Sequence, residues 1–288
     1  MTYGFFPGCS HRSEAGYLQS VLSINRCLGL ELVEIRDWNC CGATALFSQD
    51  ETRALLLAGR LQALAAVQGL DQIATTCNAC YTTLRKASQI LSHDSTALAL
   101  INRNLAREHL RIETLLPIRH YLELLVHDVP EELWQAKRRN VFPQVSVASY
   151  YGCQLTRPWQ DLDSPERPYL LDRLLQNLGF RVVDHSAKTL CCGASHFFSY
   201  ERQCRPWTSR IVNEMRRKGA QLISTLCPLC QMNLESAQDR HAPQPLAVPY
   251  FTQLVGLALG CAPRELGLEK LLIPLTPYIG DPHVYEPA

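Results

Sequence analysis

The sequence predicts an α/β fold of two pseudo-symmetric, cysteine-rich repeats, each a small, mostly parallel sheet with flanking helices. Three observations predict it. Ten of the 13 cysteines form one five-cysteine pattern written twice. The residues around those cysteines repeat as well. In both halves short β-leaning runs alternate with helical periodicity, the pattern of parallel strands joined by crossover helices.

The first copy of the pattern is Cys9, then Cys40-Cys41-Gly42, then Cys77-x-x-Cys80. The second is Cys153, then Cys191-Cys192-Gly193, then Cys227-x-x-Cys230. Thirty residues separate Cys9 from Cys40, and 37 separate Cys153 from Cys191; the next gaps are 35 and 34. FFPGCS answers SYYGCQ, LGLELVEIRDWNCCGATALFS answers LGFRVVDHSAKTLCCGASHFFS, and QIATTCNACYTTL answers QLISTLCPLCQMNL. The expected division is therefore residues 1–140 and 141–288, a unit of about 140 residues used twice. The join falls in Asp128–Gln144, which carries Pro130, Pro143 and the charged run Lys137–Arg139, read as a solvated linker face.

Strands are expected at Tyr3–Phe6, Leu30–Ile35 and Ile73–Thr76, with counterparts at Val145–Tyr151, Phe180–Val183 and Leu222–Thr225. Between the first two strands, Ala15, Leu18, Val21, Leu22 and Leu28 fall on one helical face; Leu55, Leu56, Leu61, Leu64 and Val67 suggest a second amphipathic helix. Helices over Tyr81–Leu91 and Gln231–Ser236 should follow the C-x-x-C pairs. Ligands of parallel sheets gather beyond the carboxyl ends of the strands. Cys9, Cys77, Cys153 and Cys227, each just after a strand, should meet there.

Composition excludes some classes of function. The chain is 47% apolar and 19% charged, with a net charge of +1, which gives no support to nucleic-acid binding or electrostatic membrane attachment. The longest apolar stretches, such as Leu254–Cys261, are too short to span a membrane. The opening MTYGFFPGCS leaves no room for a leader before the first motif cysteine. A cytoplasmic location is expected, and in that reducing compartment many cysteines indicate metal or redox chemistry rather than disulfides.

A C-x-x-C pair at a helix start puts two sulfurs on one side, beside free N–H groups and a positive dipole end that favour an anionic, thiolate-ligated centre. A Cys-Cys pair in extended backbone points its side chains to opposite faces. Both reach one site only if the chain bends, and Gly42 and Gly193 permit the bend. Five cysteines per repeat is one more than an ordinary cubane cluster or a zinc site uses. The surplus sulfur is either a spare redox thiol or the mark of an unusual cluster.

Two C-x₃₀₋₃₉-C-C-G-x₃₃₋₃₅-C-x-x-C motifs in one chain resemble the catalytic B subunit of heterodisulfide reductase. FPGCS, DWNCCGA, CNAC at Cys77–Cys80, YGC at Cys153, CCGAS before His196, CPLC at Cys227–Cys230 and the late YFTQLVGLALG all carry the likeness, which covers essentially the whole chain. The resemblance implies that all ten motif cysteines ligate iron, five to each of two non-cubane [4Fe–4S] clusters. It implies that the clusters face each other across a disulfide substrate, whose two-electron cleavage takes one electron from each. In methanogens that substrate would be the mixed disulfide of coenzyme M and coenzyme B; in sulfur-oxidising bacteria, a protein-bound lipoate or persulfide. Neither a ferredoxin-type cysteine run nor a G-x-G-x-x-G appears. The expected partners are therefore a ferredoxin-like [4Fe–4S] subunit and a flavin-containing subunit.

Two other functions compete. One is an iron–sulfur electron-transfer subunit of a quinone-linked dehydrogenase, since related cysteine-rich domains occur in succinate, lactate and glycolate enzymes. The other is a zinc-stabilised assembly protein. Of the remaining residues, Cys27 and Cys261 read as small buried hydrophobes, and Cys204 is ambiguous. His196 is a candidate proton donor, although Ala45 holds the matching place in the first repeat. His11 is similar. Arg12 and Arg157 are candidate partners of an acidic substrate or plain surface charges, and Trp38 is a shield for the sulfurs or ordinary core.

Overall fold

The computed structural model describes residues 3–10, 16–43, 45–140, 142, 144–159, 161–197, 199–239 and 245–279. His11, Arg12, Ala15 and Pro143 lie outside the described residues. The chain forms two compact units. The first comprises Met1–Arg12 and Glu31–Leu124, the second Ser13–Leu30 and Leu125–Ala288.

The first unit is built on a four-stranded, wholly parallel sheet: β1 (Tyr3–Phe6), β2 (Leu32–Glu34), β3 (Gln72–Thr75) and β4 (Ile118–His120), in the order β2-β1-β3-β4. Phe6 pairs with Thr75 at the carboxyl ends of β1 and β3. All four residues of β3 are buried, as expected of parallel strands covered on both faces. The second unit repeats the plan. In it β5 (Ser146–Tyr150) lies between β6 (Arg181–Val183) and β7 (Leu222–Thr225), again all parallel. Ala247 and Tyr250 add bridges to Leu222 and Thr225, so this stretch lies beside β7 as β4 lies beside β3.

The helices are α1 (Tyr17–Leu28), α2 (Leu46–Gln49), α3 (Glu51–Val67), α4 (Asn78–His93), α5 (Ser95–Leu105), α6 (Tyr121–His127), α7 (Glu131–Lys137), α8 (Leu170–Asn177), α9 (Glu201–Arg217), α10 (Pro228–Ser236), α11 (Phe251–Ala258) and α12 (Thr276–Ile279). Helix α1 connects β1 to β2, yet it packs in the second unit, running beside α11. Tyr17 stacks on Tyr250 at 3.8 Å between ring centroids, and the Ser20 and Thr252 hydroxyls lie 2.6 Å apart.

Sequence periodicity misplaces two helix faces. On α1 the buried set is Tyr17, Ser20, Val21, Ser23, Ile24, Asn25 and Leu28, while Leu22 is 48% exposed. Serines can line this face because Ser20 and Ser23 find partners, Tyr17 and Thr252 for the first and the Glu265 carbonyl for the second. On α3 the buried face is largely small, with Ala54, Ala58, Gly59, Ala63 and Ala65 beside Leu55 and Leu61, and Val67 is 70% exposed. The expected linker contains α7, whose Trp134 is buried. All three residues of its charged run are exposed, as a solvated face requires, while the Arg138 side chain donates to the Asn177 carbonyl and the Arg139 and Asn140 N–H groups donate to the Ala258 carbonyl at the end of α11.

Gly59 sets the closeness of α3 to its neighbours. A Cβ there would lie 2.9 Å from Ile101 Cγ2 and 3.0 Å from Ile112 Cδ1. Gly59→Val is expected to overpack this contact and destabilise the protein by about 1–3 kcal/mol. Denaturant unfolding against wild type measures the loss.

Candidate functional site

In each repeat the C-x-x-C pair begins a helix. Cys77 caps α4 and Cys227 caps α10, both in extended backbone, and their carbonyls accept the Tyr81 and Gln231 N–H groups. Cys80 and Cys230 therefore sit in the first turn, where backbone N–H groups lack helical partners and the dipole is positive. Cys9 and Cys153 follow the carboxyl ends of β1 and β5. Gly42 and Gly193, at φ +74° and +79°, bend the chain after each Cys-Cys pair.

The ten motif cysteines gather as two five-sulfur sets. In the first, the Sγ atoms of Cys9 and Cys40 lie 4.0 Å apart, and those of Cys41 and Cys80 lie 3.1 Å apart. Cys40 also interacts with Cys41, and Cys80 with Cys77, so the sulfurs run as a string: Cys9, Cys40, Cys41, Cys80, Cys77. In the second, Cys153 and Cys191 share a hydrogen bond as free thiols, while Cys192 lies 3.6 Å from Cys230, which shares one with Cys227. Each set has a buried side and an open side. Cys41, Cys77, Cys80, Cys192, Cys227 and Cys230 are buried, whereas Cys9, Cys40 and Cys191 are exposed and Cys153 is half-buried. A Cβ on Gly8 would stand 3.2 Å from Cys80 Sγ, so a bare glycine is what lets the Cys9 loop close over the sulfurs.

Charge concentrates on the open side. Hydrogen bonds from Cys41 and Cys9 pull Cys40 down to about 2. The same sharing pushes Cys41 up to about 12, and Cys9 well above the ordinary thiol range. Cys191 falls to about 6 through its bond with Cys153, the Gly193 N–H at 3.3 Å and the charge of His196. Hydrogen bonding among the sulfurs therefore favours the thiolate at Cys40 and Cys191 and disfavours it at Cys9, Cys41, Cys80, Cys153 and Cys230. All five sulfurs can be anionic together only around a concentrated positive charge.

The surrounding residues hold the loops. Arg60 donates to the Asp37 carbonyl at 2.7 Å and to Asn39 Oδ1 at 3.2 Å, and it pairs with the Asp37 and Glu108 carboxylates. This braces the turn that delivers Cys40. In the second repeat the Lys188 carbonyl accepts the Tyr151 and Gly152 N–H groups, tying the Cys153 loop to the Cys191 loop, while the Lys188 ammonium pairs with Asp172 and Asp184. Two buried histidines act alike. Leu122 N–H donates to His120 Nδ1, so Nε2 carries the proton and donates to the Thr76 carbonyl, one residue before Cys77. His185 does the same for the Ser149 carbonyl. The Tyr17 hydroxyl donates to the Leu226 carbonyl, one residue before Cys227. Nothing in the motif pattern pointed to Tyr17, Arg60, His120 or Lys188, because each acts on main chain far from it in sequence.

Other candidates fall into place. His196 is exposed at the open side of the second set. Arg157 donates to the Pro165 carbonyl and to Thr189 Oγ1, two residues before Cys191, and so braces a loop. Trp38 packs edge-on against Phe6 and donates to Glu34. Cys204 lies against the second bend: a Cβ on Gly193 would be 3.1 Å from its Sγ. Cys27 and Cys261 are not separate core residues; their sulfurs lie 3.2 Å apart.

Sulfur-only donor sets suit an iron–sulfur group. No three His, Cys, Asp or Glu side chains among the described residues converge on a single metal position; the first set runs as a string of five sulfurs, and the second as Cys153–Cys191 beside Cys192–Cys230–Cys227. The buried hydroxyls of Thr75 and Thr225 stand at matching places, two residues before each C-x-x-C, and find no hydrogen-bond partner among the described residues. Such hydroxyls are donors that cluster sulfurs can use.

Two parallel sheets, each carrying five sulfurs at its strand ends, define a tandem cysteine-rich-domain protein. The family model described as CCG, cysteine-rich domain, matches residues 3–85 and again 147–235. The chain belongs to this family, and within it to the oxidoreductase group formed by the B subunits of heterodisulfide reductases. The 8-methylmenaquinol:fumarate reductase membrane anchor subunit of Wolinella succinogenes is 33% identical over 282 residues, covering 95% of this chain and 98% of its own. The B subunit of the ferredoxin/F420H2-dependent CoB–CoM heterodisulfide reductase of Methanosarcina acetivorans is 30% identical, covering 84% of each chain. A crystal structure of a hypothetical protein from Helicobacter pylori shares the fold, with a TM-score of 0.75 at 14% identity, over 96% of this chain and 52% of that one. No helix among the described residues is long and apolar enough to cross a membrane.

One buried carboxyl near the second set makes stability depend on pH. Glu235 on α10 is 1% exposed; it accepts from Gln231 at 2.8 Å and, over 3.4 and 3.5 Å, from the Leu272 and Ile273 N–H groups. Burial pushes it up from 4.5 to about 7. A carboxyl raised on folding binds its proton more tightly in the native state, so stability falls as pH rises from about 4.5 to about 7. Glu235→Gln removes that penalty. Thermal melts should show the variant more stable by about 1–3 kcal/mol at pH 8, with the difference gone below about pH 4.5.

Proposed function

We propose that the chain is the catalytic subunit of a cytoplasmic heterodisulfide-reductase-like complex, with each five-cysteine set holding one non-cubane [4Fe–4S] cluster. Cys9, Cys40, Cys41, Cys77 and Cys80 are the first ligand set, and Cys153, Cys191, Cys192, Cys227 and Cys230 the second. The observation that carries the reading is the open side of each set. Cys9, Cys40 and Cys191 are exposed, whereas a centre that only relays electrons gains nothing from a face open to a ligand. When bound, the clusters supply one-electron redox centres whose iron has affinity for sulfur. The reaction is R–S–S–R′ + 2 e⁻ + 2 H⁺ → RSH + R′SH, or its reverse, on a small disulfide or a protein-bound lipoate or persulfide. Cys41, Cys77 and Cys80, with their counterparts, anchor the buried side against the helix N-termini. The exposed His196 delivers a proton to a departing thiolate at the second set. Electrons come from a flavin-containing subunit by way of a ferredoxin-like [4Fe–4S] subunit.

A second reading rests on the Wolinella succinogenes relative, named as a subunit of a quinol:fumarate reductase and matched along nearly the whole of both chains. In that reading the chain is an electron-transfer subunit of a quinone-linked dehydrogenase.

Two clusters of four irons imply about eight irons per chain and no stoichiometric zinc after anaerobic purification. Cys41→Ser and Cys192→Ser are each expected to bring iron to about four. Zinc in place of iron, persisting after reconstitution, would sink the reading. The two functions separate on the reduced protein. Reoxidation by organic disulfides, followed by electron paramagnetic resonance, is the expected result for the catalytic subunit. Reoxidation by a menaquinone analogue alone is the result that selects the electron-transfer subunit.

A further inference from the structure

Outside the two sulfur sets, one thiol pair stands ready for chemistry. Cys27 lies in the last turn of α1, and Cys261 follows α11. Both belong to the second unit. The two helices run side by side in register, from the Tyr17–Tyr250 stack through Ser20 and Thr252 to Cys27 and Cys261, whose sulfurs lie 3.2 Å apart. Both positions are held by closed helix ends. The Leu30 N–H bonds the Asn25 carbonyl just beyond Cys27. The N–H of Cys261 itself bonds the Gly256 carbonyl, and Gly260 N–H bonds Leu257, the double closure of a Schellman end. Cys27 is half-buried and Cys261 buried, so Cys27 is the more accessible of the two to a small oxidant. A separation of 3.2 Å leaves about 1.2 Å to close to a disulfide bond, within reach of side-chain rotation.

We propose that Cys27 and Cys261 are a redox modification site that forms a reversible intramolecular disulfide when the protein meets a hydroperoxide. The Cys27 thiolate attacks the peroxide oxygen and breaks the O–O bond, giving a Cys27 sulfenic acid and an alcohol or water. Cys261 sulfur displaces the sulfenic hydroxyl, which leaves as water with the Cys261 thiol proton. In net terms two thiols and one hydroperoxide become one disulfide, one water and one alcohol (a second water where the oxidant is hydrogen peroxide); the two sulfurs are oxidised and the peroxide is reduced. A dithiol reductant reverses the change. The disulfide clamps α1 to α11. Because α1 carries Tyr17, whose hydroxyl holds the Leu226 carbonyl beside Cys227, the clamp fixes one support of the second C-x-x-C loop.

The test is cysteine mapping on the full-length protein with its iron bound. Purified protein is treated anaerobically with graded hydrogen peroxide, free thiols are blocked with iodoacetamide, and unreduced peptides are mapped by mass spectrometry. The expected result is a Cys27–Cys261 linked peptide, two hydrogens lighter than its parts, formed with loss of iodoacetamide label at both positions and before iron is released. In Cys261→Ser, Cys27 is expected to stop at the sulfenic acid and take up dimedone. Both cysteines remaining fully alkylated in wild type, up to the dose at which iron is lost, overturns the proposal. That wild-type map decides the matter even where the variant folds poorly, and it is independent of the disulfide-reductase reading.

Discussion

The sulfur sets depend on where parallel strands end. In a sheet ordered β2-β1-β3-β4, the chain leaves β1 in one direction and β3 in the other, and a crevice opens between their carboxyl ends. Cys9 leaves β1 and Cys77 leaves β3, side by side because Phe6 pairs with Thr75. The second sheet does the same with Tyr150 and Thr225 ahead of Cys153 and Cys227. Only the Cys-Cys pair arrives from elsewhere, on the loop after the edge strand, and so it needs braces of its own.

Burial and charge then divide the labour within each set. Cys80 and Cys230 sit in the first turns of α4 and α10, buried among apolar residues and beside positive helix ends. Cys40 and Cys191 carry what negative charge the thiols can share. The two lowered thiols are exposed, while Cys41, Cys77, Cys80 and their counterparts are buried, so the sulfur most easily ionised in each set is one that solvent reaches. The orphaned hydroxyls of Thr75 and Thr225 lie on the buried side, where an unmet hydrogen bond costs about 1–3 kcal/mol.

What was legible in the sequence follows from locality. The strands β1 and β7, the helices opened by C-x-x-C and the bends at Gly42 and Gly193 are each written in a few consecutive residues. What was hidden is non-local. Strand β4 is three residues of IRH with no period to detect, and its counterpart is only a pair of bridges. The inward face of α1 could not be read because Ser20 and Ser23 are polar in isolation and become core residues through Thr252 and Glu265, more than 200 positions away. The same separation hid the Cys27–Cys261 contact, whose members have no counterpart in the repeat. On α3, the leucine pattern lost to Gly59 and the alanines, because close helix packing rewards small side chains.

The repeats also differ where they agree most in sequence. In the first, the turn before Cys40 is held by Arg60, a guanidinium balanced by Asp37 and Glu108. In the second, Lys188 stands three residues before Cys191, balanced by Asp172 and Asp184, and Arg157 reaches Thr189 from the Cys153 loop. His196 stands exposed at the open side of the second set, where the first has Ala45. Electron acceptance adds negative charge, and the neighbouring cations and hydrogen bonds set what that costs. Two sulfur sets built on one backbone plan are therefore braced by different cations, and any added charge meets different surroundings in each.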